Sequence, residues 1–279
     1  MMQLQIRFLF WVQMYISGWE SNGTKKVAKI WKNGLATTLT NGSNDAQANS
    51  VFVSGADVYI AGWENNGTRD VAKSWKNGVV TSLTSASTDG AANSVFVSGT
   101  DVYVAGYEKD LLLLKDIAKI WKNGIATSIT NGTEHATLYS VLVSGTDVYA
   151  AGWEDNSAAT TIVTKVWKNG VATSLNNNSN TDGTAVVYVS GADVYVAGNE
   201  KFSASNTVAK IWKNGVATSL TTGPGYAIGH SVFVLGTDVY VAGWENNGAK
   251  DVAKIWKNGV ATSLANGANN AYAASIFVK

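Results

Sequence analysis

The chain contains no cysteine, a single proline and two histidines among 279 residues, and charged types make up only 15%. Each shortage closes a class of function. Without cysteine there is no disulfide framework, no thiolate zinc site and no cysteine nucleophile, although compartment stays open. Two histidines leave no room for a three-histidine metal site. A formal net charge of +1 lacks the basic stripe that neutralises phosphates, so no nucleic-acid partner is expected. No apolar run approaches the roughly 20 residues of a spanning helix, so no membrane span is expected either. What the chain has in quantity is glycine (28), tryptophan (11), tyrosine (11) and apolar residues at 46%. That is enough chain and apolar surface for a sizeable core.

The abundance is periodic. Trp-Lys-Asn-Gly begins at Trp31, Trp75, Trp121, Trp167, Trp212 and Trp256, at spacings of 44, 46, 46, 45 and 44 residues. Gly-x-Glu ends at Glu20, Glu64, Glu108, Glu154, Glu200 and Glu245, and Gly-x-Asp-Val-Tyr begins at Gly55, Gly99, Gly145, Gly191 and Gly236. In the second copy, Ser50 to Val53 reads as a strand, then Val58 to Glu64, Val71 to Lys76 and Val79 to Leu83. Asn77-Gly78 between the last two is the strongest short hairpin signal. No segment carries an apolar stripe at helical spacing. Four strands per unit, six times over, predict an all-β fold: a six-bladed β-propeller with four antiparallel strands per blade. A β-solenoid is the competitor, but its rungs are shorter and lack hairpin turns.

The order Ser-Val-Phe-Val, turn, Asp-Val-Tyr-Val-Ala-Gly, variable loop, third strand, tight turn, fourth strand resembles a Kelch-type β-propeller repeat. The resemblance covers all six units. The Kelch double glycine is Ala61-Gly62 here, and the tryptophan ends the third strand instead of lying in the fourth. The resemblance implies a fold; it does not carry over Kelch partners or activities.

The two ends of the chain differ from the repeat. Ser275-Ile276-Phe277-Val278-Lys279 is one further copy of the first strand. It is expected to close the ring by completing the N-terminal blade, leaving no open sheet edge. Residues 13–279 would then be the propeller and residues 1–12 an appendage. Residues 1 to about 14 fit a frame-shifted repeat: single-codon Met and Trp force several junctions, and permissible codons reproduce Asp45 to Val58 at 12 of 14 positions. The competing reading, a weak signal peptide, has only Arg7 as its basic region and no small-residue cleavage site.

Pairing 57–64 with 70–77 as a hairpin places Lys73 opposite Ala61, on the face of Tyr59, Trp63, Val71 and Trp75. The repeated lysine then packs between aromatic rings or meets Asp57, as structural glue in preference to six anion-binding sites. The ring of Glu20, Glu64, Glu108, Glu154, Glu200 and Glu245 lies at the loop end of the second strand. It could hold a cation or sugar hydroxyls, against a structural reading in which each pairs locally with a residue such as Arg69 or Lys250. Calcium is conceivable there but unsupported, and no cofactor is expected. Before each glutamate stand Trp19, Trp63, Tyr107, Trp153, Asn199 and Trp244, either inter-blade packing or sugar-stacking faces.

Variation among copies marks where the scaffold does not dictate the residue. Leu111 to Leu114 form an apolar tetrad in one loop. His135 with Tyr139, and His230 with Tyr226, lie in or beside the between-blade loops. The site-bearing half is therefore blades three to five. No Gly-x-Ser-x-Gly elbow, phosphate-cradling loop or His-Glu-x-x-His helix is present, so no enzyme is expected. Asn-Gly-Thr and Asn-Gly-Ser at Asn22, Asn41, Asn66 and Asn131 read as turn chemistry before glycosylation. The expected role is a monomeric recognition module binding a protein or glycan through its loop face. The alternatives are a multivalent lectin with sites between blades and a repeat-gene fragment with no selected activity. Low charge and many aromatics lean towards an extracytoplasmic bacterial protein.

Overall fold

The computed structural model describes residues 13–158, 160–176, 184–203 and 206–278. The appendage 1–12, with its frame-shifted reading, lies outside the described residues. The described residues form six antiparallel sheets in chain order and no helix. Sheet 1 has three strands, β1 (Tyr15–Ser21), β2 (Lys26–Lys32) and β3 (Leu35–Thr38). Sheet 2 has four, β4 (Ala46–Ser54), β5 (Asp57–Asn65), β6 (Asp70–Lys76) and β7 (Val79–Ser82). Sheets 3 to 6 repeat the four-strand meander over 90–128, 136–174, 185–219 and 227–263.

The meander follows from the turns. Asn77 and Gly78 take φ of 50° and 82°, the left-handed pair that a two-residue hairpin with right-handed twist requires. Asn77 also donates from Nδ2 to Asp57 Oδ1 (2.7 Å) and accepts the Val58 N–H on Oδ1 (2.9 Å). Lys76 Nζ lies 2.8 Å from Asp57 Oδ2 and 5.3 Å from the centroid of the Tyr59 ring. Two sequence motifs about twenty residues apart are thus one cluster. Gly-x-Asp-Val-Tyr supplies the carboxylate and ring, and Trp-Lys-Asn-Gly supplies the ammonium and amide. The Lys76 and Asn77 hydrogen bonds hold the Asp57 carboxyl below its ordinary range. The Asn-Gly-Thr sites are turns as well: Asn66 Oδ1 accepts from the N–H groups of Thr68 (3.1 Å) and Arg69 (2.9 Å).

The hairpin register differs by one residue from the one expected. Asn65 pairs with Asp70, so Gly62 faces Lys73, Ala61 faces Ser74 and Tyr59 faces Lys76. The loop is tightened to Asn66–Arg69, closed by Asn66 N–H donating to the Arg69 carbonyl at 2.9 Å. A one-residue slip moves a whole strand's side chains to the other face. Lys73 therefore leaves the face of Tyr59 and Trp63, and the lysine over the aromatic ring is Lys76.

Each sheet has a leading face, with Ile60 and Trp75 in sheet 2, and a trailing face, with Tyr59, Ala61 and Ala72. Leading faces pack on the trailing face of the sheet before. Ile60 and Trp75 meet Ala28, Ile30 and Leu39, and Val104 and Trp121 meet Ala61, Ala72 and Leu83. Three further clusters join sheets 3 to 4, 4 to 5 and 5 to 6 in the same way. The small Ala at positions 28, 72, 118 and 209 brings a backbone N–H into this dry layer, and a threonine satisfies it. Thr84 Oγ1 accepts from Ala72 N–H at 3.0 Å, with Thr40, Thr130 and Thr221 in the same role. Thr84→Val keeps the shape but orphans that N–H. We expect it to lower unfolding stability by about 1–3 kcal/mol, read by urea titration, whereas an unchanged midpoint would contradict the assignment.

The expected closure by strand exchange is not found. Among the described residues β1 pairs only with β2, and 264–278 join no ladder. The C-terminal segment stays on sheet 6. Ile276 donates its N–H to Ser231 Oγ at 3.2 Å, and the Phe277 ring packs edge-on against Phe233 at 5.0 Å.

Candidate functional site

The strand directions sort the connections into two ends. Turns at Gly55 and Asn77-Gly78 lie at one end. The β5–β6 loop and the inter-sheet loop share the other, where Asn66 Nδ2 donates to Ala86 O (2.8 Å) and Arg69 pairs with Asp89 (2.7 Å). Every candidate site residue read from the sequence lies at or near this loop end.

The six glutamates are not a free carboxylate ring. Each pairs with the repeated lysine of its own sheet: Glu64 with Lys73 (3.8 Å), Glu108 with Lys119 (3.4 Å), Glu245 with Lys254 (3.1 Å), and Glu20, Glu154 and Glu200 with Lys29, Lys165 and Lys210. The partner is neither Arg69 nor Lys250, because the register that removes Lys73 from the aromatic face puts it beside Glu64. Two series of residues with separate expected roles are therefore one structural ion pair per sheet. Nor do Trp63 and Glu64 converge on one ligand. They are consecutive on β5 and point to opposite faces, as the period of two demands. The same holds for Tyr107 with Glu108, Trp153 with Glu154 and Trp244 with Glu245. Tyr107 is half-buried; burial first, then the carboxylates of Asp116, Asp70 and Asp89, pushes its phenol up to about 12. Asn199, at this position in sheet 5, is fully buried.

The histidines separate into two roles. His135 Nδ1 lies 3.1 Å from the Asp116 N–H and 3.2 Å from Asp116 Oδ2. Asp45, Asp89 and Asn270 engage the corresponding N–H groups of Lys26, Asp70 and Asp251. His135 is thus a fastener of the β-meander and not a freely solvated loop histidine. Tyr226 also fastens a loop through its backbone, its carbonyl accepting the Asn246 N–H at 2.7 Å.

His230 and Tyr139 belong to a column that sequence reasoning missed. The first strand of sheets 2, 3, 4 and 6 carries a β-bulge, at Asn49, Asn93, Tyr139 and His230. A bulged residue is unpaired and its side chain is re-aimed. Asn49 and Asn93 reach the next sheet, donating from Nδ2 to Ala92 O (3.0 Å) and Leu138 O (2.9 Å). Tyr139 and His230 instead turn to the aromatic of their own sheet: Trp153 Nε1 donates to the Tyr139 hydroxyl (3.3 Å), and Trp244 Nε1 to His230 Nε2 (3.1 Å). The bulge residue itself differs among the copies, Asn49, Asn93, Tyr139 and His230, but so do its neighbours, with Ala48 and Ala92 against Leu138 and Gly229, so no local pattern marked it.

Because His230 accepts on Nε2, its proton sits on Nδ1 and the ring is neutral, and burial lowers its pKa below the ordinary 6.5. A lowered folded-state pKa means the unfolded chain binds the proton first. The stabilisation is complete above the unfolded value, declines as pH falls below it, and is lost once pH passes the folded value. We expect His230→Gln to flatten that part of the stability–pH curve, measured by thermal melts from pH 7.5 to 4.5. An unaltered curve would rule the linkage out.

Two open crevices lie at the loop end. One, of about 300 Å³, is lined by Thr88, Glu108, Asp110, Leu111, Leu112 and Lys119 on sheet 3. The other, about 510 Å³, is lined by Glu134, Glu154, Asp155, Asn156, Lys165 and Asn176 on sheet 4. Burial raises the Asp155 carboxyl, while a hydrogen bond from Ser157 lowers that of Glu134. Among the described residues no aromatic ring lines either crevice. Above the first stands the leucine loop. Asp110 Oδ1 accepts the N–H groups of Leu112 and Leu113, each at 2.8 Å, and Leu114 takes φ of 55°. The loop is a formed turn that displays its leucines, with Leu112 93% exposed.

Comparison of the backbone with solved structures places this arrangement. TolB from Acinetobacter baumannii superposes with a TM-score of 0.57 at 12% identity, over 94% of this chain and 65% of TolB. The β-propeller domain of the Trilobed protease from Pyrococcus furiosus, described as having an open velcro topology, matches at 0.57 and 12%, over 91% of this chain and 78% of that one. This chain has the β-propeller fold. A Pyrococcus horikoshii acylaminoacyl peptidase matches at 0.52 and 12%, over 91% of this propeller and 43% of the peptidase. The propeller thus spans less than two thirds of both TolB and that peptidase. No protein-family model matches the chain, and no curated protein matches it in sequence. At such identities the likeness concerns the fold alone.

Proposed function

We propose that this propeller is a non-enzymatic recognition platform that holds a protein partner at the loop end of sheets 3 to 5. One observation carries the reading: Leu111 to Leu114 are all about half or more exposed on an ordered turn, beside a crevice holding the Glu108–Lys119 ion pair. An apolar knob rimmed by charge is the usual anatomy of a protein-binding surface. A glycan is the second reading, favoured by the wider and more polar crevice of sheet 4, whose carboxylates and amides suit sugar hydroxyls.

Selection of a phage-displayed peptide library on the wild-type protein, run beside a glycan array, tests both. Peptides that bind saturably should lose about tenfold or more in affinity against a Leu112→Ser/Leu114→Ser variant, the effect of a hot-spot side chain. Glycan binding abolished by Glu154→Gln, with no peptide selected, would replace the first reading by the second. Folded protein that retains neither would overturn both.

A further inference from the structure

We propose that the leading face of sheet 1 and the trailing face of sheet 6 are two halves of one interface, completed head to tail by a second copy of this chain. Five times within the molecule a leading face is covered by the sheet before it. At the two ends Ile16, Trp31 and Leu264 are more open than their counterparts, while Ala253 stays buried at 5%. Ile16, the counterpart of Ile60 (1% exposed), is 50% exposed, and Trp31 is half-buried where the other five repeated tryptophans are buried. On the opposite end Leu264 is 54% exposed, against 9% for its counterpart Leu220. The chemistry of both faces is that of the internal interface, with isoleucine and indole on one side and Ala253, Ile255 and Leu264 on the other.

The C-terminal segment extends the interface. Val95, Val141 and Val187 each donate an N–H to a serine of the preceding sheet: Ser50 (3.2 Å), Ser94 (3.2 Å) and Ser140 (3.3 Å). Ile276 makes the same bond to Ser231 at 3.2 Å. The Phe277 ring packs against Phe233 at 5.0 Å much as Phe96 packs against Phe52 at 4.8 Å, and the Tyr272 ring meets Trp244 edge-on at 5.6 Å. Residues 271–278 thus occupy the place of the first strand of a further sheet, and sheet 1 of a second copy has the strands that would continue it. Val51 faces Ile60 and Phe52 faces Tyr59 in sheet 2. By the same register Ile276 meets Ile16, and Phe277 meets Tyr15. Among the described residues no ladder joins these segments. The interface is heterologous, and successive copies add in one direction.

The absence of cysteine makes the test clean. Ile16→Cys and Ile276→Cys variants, prepared separately and mixed under mild oxidation, should form a covalent dimer containing one of each, beyond what either forms alone. The double variant should give a ladder of dimers and higher species. A Val51→Cys/Ile60→Cys protein is the reference for the same register. Wild-type molar mass by sedimentation should rise above 29.4 kDa as concentration increases. A double variant that closes only within its own chain would overturn the proposal, as would absence of cross-linking alongside a reactive reference. A mass fixed at the monomer value over the whole concentration range would do the same.

Discussion

Gly62→Ala is expected to be among the most damaging single-methyl changes in the molecule. A Cβ on Gly62 would lie 2.0 Å from the backbone oxygen of Gln47 and 3.0 Å from Ala48 Cα. The cause is the bulge: Ala48 to Ser50 on β4 oppose Gly62 and Ala61 on β5, which folds the Gln47 carbonyl over the glycine. Backbone cannot step aside as a side-chain tip can, so the sheet must give up either the bulge or its register. Gly106, Gly152 and Gly243 have the same contact at 1.9, 2.0 and 2.0 Å. We expect a loss of about 3 kcal/mol or more, at the upper end of overpacking effects. Gly18 is the internal control. Among the described residues its sheet has no inner strand, and its Cβ would meet only Trp31 ring atoms, the nearest at 3.3 Å. Gly18→Ala should change stability by less than about 1 kcal/mol. Equal urea midpoints for the two variants would show that the bulge carbonyl is not where it is placed here.

Trp121→Ala should cost about 3–5 kcal/mol, the range for deleting a buried aromatic side chain. Trp121 is fully buried between sheets 2 and 3, and its indole N–H has no partner among the described residues. The whole loss is therefore packing and cavity, and no hydrogen bond enters it. Trp31→Ala makes the same chemical change on a face that no sheet covers among the described residues, so its cost should be well under half as large. The ratio is informative beyond stability. Were Trp31→Ala as damaging as Trp121→Ala under dilute conditions, the first sheet would already be covered within the monomer, against the open ends described above.

The repeat and its four-strand unit were legible because identical turns recur at near-identical spacing. Asn-Gly hairpins and alternating apolar residues then leave few other folds. Two features were not legible, for different reasons. The β5–β6 register depends on whether Asn65 and Asp70 belong to the loop or to the ladder. Both are turn-forming types, and the choice moved Lys73 from the tyrosine to the glutamate. The bulge inserts one residue into a strand whose local sequence, Ala-Asn-Ser-Val, reads as uninterrupted. Its side chains are aimed by tertiary packing that no local pattern encodes. The leucine tetrad was legible as an oddity, but only the Asp110 turn shows that it is held outward. Closure was expected from chain logic alone, and sheet 6 holds the segment instead.

In the proposed function the repeated residues build the scaffold while the variable loop end recognises a partner. Two variants, compared for both melting temperature and binding of a library-selected peptide, test it most directly. Thr84→Val alters a repeated buried contact, and Leu112→Ser/Leu114→Ser alters the displayed turn. The first should lower the melting temperature and leave affinity unchanged, while the second should leave the melting temperature unchanged and weaken binding about tenfold or more. Binding that follows the threonine and ignores the leucines would contradict it.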